Sequence, residues 1–291
     1  MIPSKTVSGP LSFEGVGVHS GKRVHLRLLP SPAGRIIFRR TDLGGLEMPL
    51  EFDRVESRNS TTLVGDRFSV RTVEHLLAAL WARGIDSLVV ELDAEEIPIL
   101  DGSAAPFVQA LQTSGFEDLP SSRPALRVVQ PFSLEDRGAS IAFAPPGESG
   151  GLEIAYSIEY DHPAIGVRTL AQRFSWDVFA REIAPARTFG FLKDFEGLKA
   201  QGLALGASFE NTVVLDENGI VSGPLRYPDE FVRHKLLDLV GDLALLGRPL
   251  SGRVTAVKAG HRLHLQAVRY FLDHPECAAE PPAAAGKDES H

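Results

Sequence analysis

With 291 residues, 43% hydrophobic and 23% charged, the chain has room for a full hydrophobic core, and its length suggests about two domains. Its 30 lysines and arginines against 38 acidic residues give a net charge of -8, which argues against nucleic acid or an anionic membrane surface as a partner. A single cysteine, Cys277, excludes an intrachain disulfide and fits a reducing compartment, so a cytoplasmic location is expected.

The first residues, MIPSKTVSGP, lack the apolar core of a signal peptide, and no apolar run is long enough to span a bilayer. Val24 to Leu29 alternates apolar and polar residues as a half-buried strand does, and a turn leads to a second strand over Arg35 to Arg40. Val70 to Ala82 carries helical spacing that stops at Gly84. Ser87 to Leu92 reads as a strand. Pro98 to Ser103 reads as a turn, with Ser103 as N-cap of a helix through Ala110. The polar, proline-containing stretch Glu117 to Pro124 reads as an interdomain linker.

Beyond it the pattern restarts, with strands at Leu126 to Val129 and Leu152 to Tyr160 and a helix over Trp176 to Ile183. A strand at Asn211 to Leu215 precedes the turn Asp216 to Gly219. A long helix covers Phe231 to Leu246, a strand Val254 to Lys258, and a last helix Leu263 to Leu272. The closing AAEPPAAAGKDESH buries too little apolar surface to order itself. The expected fold is α+β, with domains at 1-120 and 125-275 and a disordered tail at 276-291. Each domain is expected to be a β-sheet layer with helices, although no sequence repeat ties the halves together.

Four segments carry side chains suited to chemistry. In RHKLLDLVGD, His234 and Asp238 stand four apart on one helical face, a spacing that lets them share one Zn²⁺; Asp242 extends the same stripe. A solvated His–Asp pair has the same spacing. In TVEHLL, Glu74 precedes His75 without forming HExxH or HxxEH; both could border one site from a helix end, or Glu74 could simply favour the helix dipole. In KAGH a strand runs into a glycine turn that presents His261, and a carboxylate such as Asp242 beside it would favour the imidazolium. In ARTFGF, two aromatics and a hydroxyl could form an apolar wall with one polar contact, or a core turn. GVGVHSG lacks the ending of a phosphate loop and reads as a β-hairpin.

Taken in order, GVGVHSGKRV, TVEHLLAAL, PILDGSAAPFV, ARTFGF, EFVRHKLLDLVGDL and KAGHRLH resemble the UDP-3-O-acyl-N-acetylglucosamine deacetylases of lipid A synthesis. The resemblance runs from about Leu11 to Tyr270. It implies two α+β domains packed helix layer to helix layer with the active site between them. It implies Zn(2+) held by His75, His234 and Asp238, with Fe²⁺ as an alternative occupant. It further implies Glu74 as general base, Thr188 as hydrogen-bond donor to the oxyanion, and His261, oriented by Asp242, as the group that stabilises that charge and protonates the leaving amine.

The substrate implied is a small-molecule UDP-sugar carrying an acyl chain, with acetate as one product and a monomer as the working unit. Lys235 and Lys258 match cationic positions near the sugar and diphosphate, and Tyr160 an aromatic that stacks on uracil. Phe189 belongs to the aromatic slot, and Phe191, Leu192 and Phe195 would line the acyl passage. The stretch Ser140 to Gly151 departs from the pattern, having no lysine where some family members place one near the nucleotide. Two rival readings are a zinc deacetylase of another N-acyl amino sugar and a non-catalytic nucleotide-sugar-binding protein with a structural metal.

Overall fold

Alternation places one face of the strand Arg23–Pro30 inside: Val24, Leu26 and Leu28 are buried while Arg23, His25 and Arg27 are exposed. The structure, a computed structural model, describes residues 1–52 and 54–280. That strand belongs to a five-stranded sheet in the spatial order Leu11–Val16, Arg23–Pro30, Leu88–Leu92, Ile36–Arg40, Leu46–Pro49. Only the Ile36–Arg40 and Leu88–Leu92 pair runs parallel. GVGVHSG makes the bend of the antiparallel pair Leu11–Val16 and Arg23–Pro30, as expected of a hairpin.

The described helices are α1 (Glu74–Arg83), α2 (Ala105–Ser114), α3 (Trp176–Val178), α4 (Leu192–Ala200), α5 (Glu230–Leu243) and α6 (His261–Asp273). Helix α1 begins four residues later than the spacing from Val70 suggested. Ser69–Arg71 is a strand in a three-stranded sheet with Thr61–Val64 and Val55–Ser57, and Thr72 sits at φ +58, which no helix accommodates. Gly84 ends α1 in the left-handed region, as expected. Ala104, not Ser103, caps α2, but the Ser103 hydroxyl still accepts from the Ala105 N–H at 3.1 Å. The helix expected over Trp176 to Ile183 is α3 followed by a π-helical turn, Phe179–Ile183.

A seven-stranded sheet in the second half is organised around Leu250–Val257, which pairs with Ala139–Ala144, Leu152–Tyr160 and Leu126–Val128. The expected linker is a strand, Phe116–Arg123, antiparallel to Ile2–Val7. This two-stranded ribbon tolerates the prolines that argued for a linker because its register shifts between Pro3 and Lys5. The start of the expected tail is also ordered. Pro275–Cys277 forms a 3₁₀ turn that buries Cys277, and Ala278–Ala279 pairs with Leu126–Val128. Residues 281–291 lie outside the described region.

Helix α1 packs against α5, and α5 packs against α6 and the strand Leu152–Tyr160. Leu76 and Leu80 of α1 share one core cluster with Leu237 and Leu243 of α5. The contact is close enough to require glycine: a Cβ at Gly241 would lie 2.1 Å from the Glu74 carbonyl oxygen. No described helix is long and apolar enough to cross a membrane.

Candidate active site

The α1–α5 crossing brings together residues that lie far apart in sequence. Glu74 and His75 open α1, His234, Asp238 and Asp242 lie along α5, and His261 opens α6. His234 Nε2 is 3.3 Å from Asp238 Oδ1, and His75 Nε2 is 3.8 Å from the same oxygen. The two rings stand nearly perpendicular, at 86°, with centroids 5.1 Å apart. One donor atom from each of the three residues falls within 4.8 Å of the others, and all three residues are buried.

Local contacts prepare these donors. His234 Nδ1 lies 3.1 Å from the Ala186 carbonyl, which only accepts, so Nδ1 carries the proton and Nε2 keeps its lone pair. Burial, reinforced by His234, pushes His75 down to about 3, and burial also lowers His234, so both rings are neutral near pH 7. Burial alone would raise Asp238, but His234 and Lys235 hold it well below the carboxylate range. Two neutral imidazoles and a carboxylate, opening on a cavity, are a donor set that fits zinc with a position left for a small molecule. The group could hold a metal ion.

Beside it stand two proton-handling groups. Burial, with Asp242 and Asp238 adding to it, pushes the Glu74 carboxyl up to about 8 against the opposing pull of His261. Its Oε2 accepts the Thr61 N–H at 3.0 Å, and its Oε1 lies 3.7 Å from His261 Nε2. Burial would lower His261, but Asp242 and Asp238 outweigh it and raise the ring to about 9. His261 Nδ1 is 2.7 Å from Asp242 Oδ2. At neutral pH the ring is therefore an imidazolium whose Nε2 faces both Glu74 and, at 3.8 Å, Asp238.

These groups border a cavity of about 730 Å³. Thr188, Phe189, Phe191, Leu192 and Phe195 line its walls, as do Tyr160, Lys235 and Lys258. Asp242 stays behind His261, fully buried. Helix α4 has no buried residue, and Leu192 is 48% exposed and Phe209 57%, so this wall presents apolar side chains that the chain itself leaves uncovered. Tyr160 meets Phe189 and Phe191 at centroid distances of 5.6 and 5.9 Å, which sets the Tyr160 end directly beside the apolar wall. Lys235 donates to Asp238 Oδ2 at 2.8 Å; burial works against its charge, yet Asp238 holds it above the ordinary lysine value. Lys258 pairs with Glu159.

The structure also adds residues that the sequence reading passed over. His19, from the hairpin bend, lines the cavity, as does Arg262, which is paired with Asp136. Their signals were in plain view, inside GVGVHSG and KAGHRLH, but neither side chain had a partner at a telling spacing. Thr61 and His264 contact Asp242 from behind, at distances in sequence that no local pattern reveals.

The family model described as LpxC, UDP-3-O-acyl N-acetylglycosamine deacetylase, matches residues 4–273. A protein of Myxococcus xanthus named UDP-3-O-acyl-N-acetylglucosamine deacetylase is 44% identical over 283 residues, covering 96% of this chain and 89% of the relative. Proteins with the same name from Idiomarina loihiensis and Geotalea uraniireducens are 43% and 42% identical, each covering 94% of this chain and 90% and 89% of their own lengths. The chain belongs to the LpxC family of UDP-3-O-acyl N-acetylglycosamine deacetylases.

Proposed function

We propose that the protein hydrolyses the N-acetyl amide of UDP-3-O-(3-hydroxyacyl)-N-acetylglucosamine, giving acetate and UDP-3-O-acyl-glucosamine, a step of lipid A biosynthesis. One observation carries the reading: a buried carboxyl and a half-buried imidazolium flank a three-donor His–His–Asp group on a cavity with an apolar wall. The names of the relatives supply the substrate.

His75, His234 and Asp238 would hold Zn²⁺, which when bound polarises the acetamide carbonyl and lowers the pKa of water to about 7. Glu74 in its ionised form takes the proton of the attacking water, a form that burial disfavours and the neighbouring His261 imidazolium favours. Thr188 donates its hydroxyl to the oxygen on which negative charge builds. His261 offsets that charge from the other side and gives its proton to the amine nitrogen as the C–N bond breaks. Asp242 keeps the ring charged and aimed. Phe189, Phe191, Leu192 and Phe195 receive the acyl chain, and Tyr160, Lys235 and Lys258 face the sugar and nucleotide.

The substrate assignment is tested by comparing acetate release from the UDP-sugar with and without its 3-O-acyl chain. Loss of the chain should lower kcat/KM on the order of 100-fold or more, since the apolar wall then binds nothing. Equal rates would point to another N-acyl amino sugar as the substrate.

A further inference from the structure

Thr61 belongs to no motif, yet every polar group it has is used at the site. Its amide N–H donates to Glu74 Oε2 at 3.0 Å, and its carbonyl accepts the N–H of Val73, the residue before Glu74, at 3.2 Å. Its hydroxyl donates to Asp242 Oδ1 at 2.5 Å and lies 3.2 Å from His261 Nδ1. Thr61 and Asp242 are both 0% exposed, so water replaces none of these contacts. The other Asp242 oxygen is shared by His261 Nδ1 at 2.7 Å and His264 Nδ1 at 2.8 Å. Tyr156 braces His264 from behind: its hydroxyl is 3.1 Å from Nε2 and donates to the Ala259 carbonyl at 2.7 Å.

This arrangement makes the Thr61 hydroxyl the part that sets the orientation of the Asp242 carboxylate. Without it Oδ1 is a buried, charged oxygen lacking its donor, which is costly. Rotating the carboxylate to find another donor would carry Oδ2 away from His261.

We infer that Thr61 is a positioning residue of the hydrolysis, its amide fixing the base Glu74 and its hydroxyl fixing Asp242 and so the aim of His261. The inference rests on the amide-hydrolase reading given above. Thr61→Val removes the hydroxyl and keeps shape and amide; Thr61→Ser keeps the hydroxyl. The valine variant should lose kcat by about 10- to 100-fold with KM and metal content unchanged, and the serine variant should recover most of it. In a His261→Ala background, Thr61→Val should cost nothing more, because the group it positions is gone. Full kcat in Thr61→Val, or the same fold-loss in the His261→Ala background as alone, would overturn the inference.

Should thermal melting show that the valine variant does not fold, Thr61→Cys, a weaker donor of similar size, should give an intermediate kcat; an unchanged kcat there would equally overturn it. Proton NMR of the His261 Nδ1–H separates this inference from the functional reading, since it needs no turnover. Its downfield resonance should move upfield in the valine or cysteine variant and stay in place with serine, whether or not the substrate proves correct. An unmoved resonance would contradict the positioning role.

Discussion

His261 is charged because two carboxylates, Asp242 and Asp238, outweigh the burial that would neutralise it. A histidine whose value is raised above the ordinary 6.5 keeps its proton below the raised value and loses it as pH climbs through about 9. His261→Ala should lower kcat by about 10²- to 10⁴-fold with little change in KM, and should remove the alkaline fall of the kcat profile. Steady-state kinetics across pH checks both; a change confined to KM would make the residue a binding group only. Glu230 shows the opposite sign in a structural pair. Burial would raise it, but hydrogen bonds from the Arg187 side chain and from the Arg187 and Arg226 amides hold it below the carboxylate value. Its stabilisation is therefore present above about pH 4.3 and lost as pH falls through the lower folded value. Glu230→Gln should cost about 3–5 kcal/mol at pH 7, and the gap should narrow by pH 3 in urea unfolding. A gap independent of pH would contradict the ionised pair.

Among the elements, α1 and α5 matter most, and Gly241 is where they touch. A Cβ there would meet the Glu74 carbonyl oxygen at 2.1 Å, its carbonyl carbon at 2.7 Å and its Cα at 2.9 Å, all backbone atoms that no rotamer change moves aside. Gly241→Ala should destabilise the protein by about 1–3 kcal/mol and lower kcat together, because the atoms displaced belong to the base. Thermal melting and kinetics on one preparation check this; unchanged values for both would mean the helices separate freely. The same crossing explains what the sequence could and could not disclose. His234 and Asp238 were legible because helical spacing puts i and i+4 on one face. That His75 joins them was not legible from spacing and came only through the family resemblance, since it arrives from another helix across a contact that depends on one glycine. Thr61 was illegible for the same reason: its partners Glu74 and Asp242 lie 13 and 181 residues away. The strand Phe116–Arg123 was hidden by its polarity and proline, which suit a linker and an edge ribbon equally.

At the scale of the molecule, a chain with net charge -8 is read as handling an anionic substrate at one cavity. Lys258 and Arg262 both line that cavity, paired with Glu159 and Asp136, and Arg262 enters from α6 rather than from the lysine-free strand Ala139–Ala144. Family motifs made the fold class and the metal-suited trio readable from sequence, while the interior bracing of Asp242 required the folded chain. The central claim is that Glu74 works as the base beside a metal that it does not itself hold. The most direct test measures metal content and acetate release together in the wild type and in Glu74→Gln. The account predicts about one metal equivalent per chain in both proteins and acetate release only in the wild type. Turnover by the variant at the wild-type rate, or loss of its metal along with its activity, would contradict it.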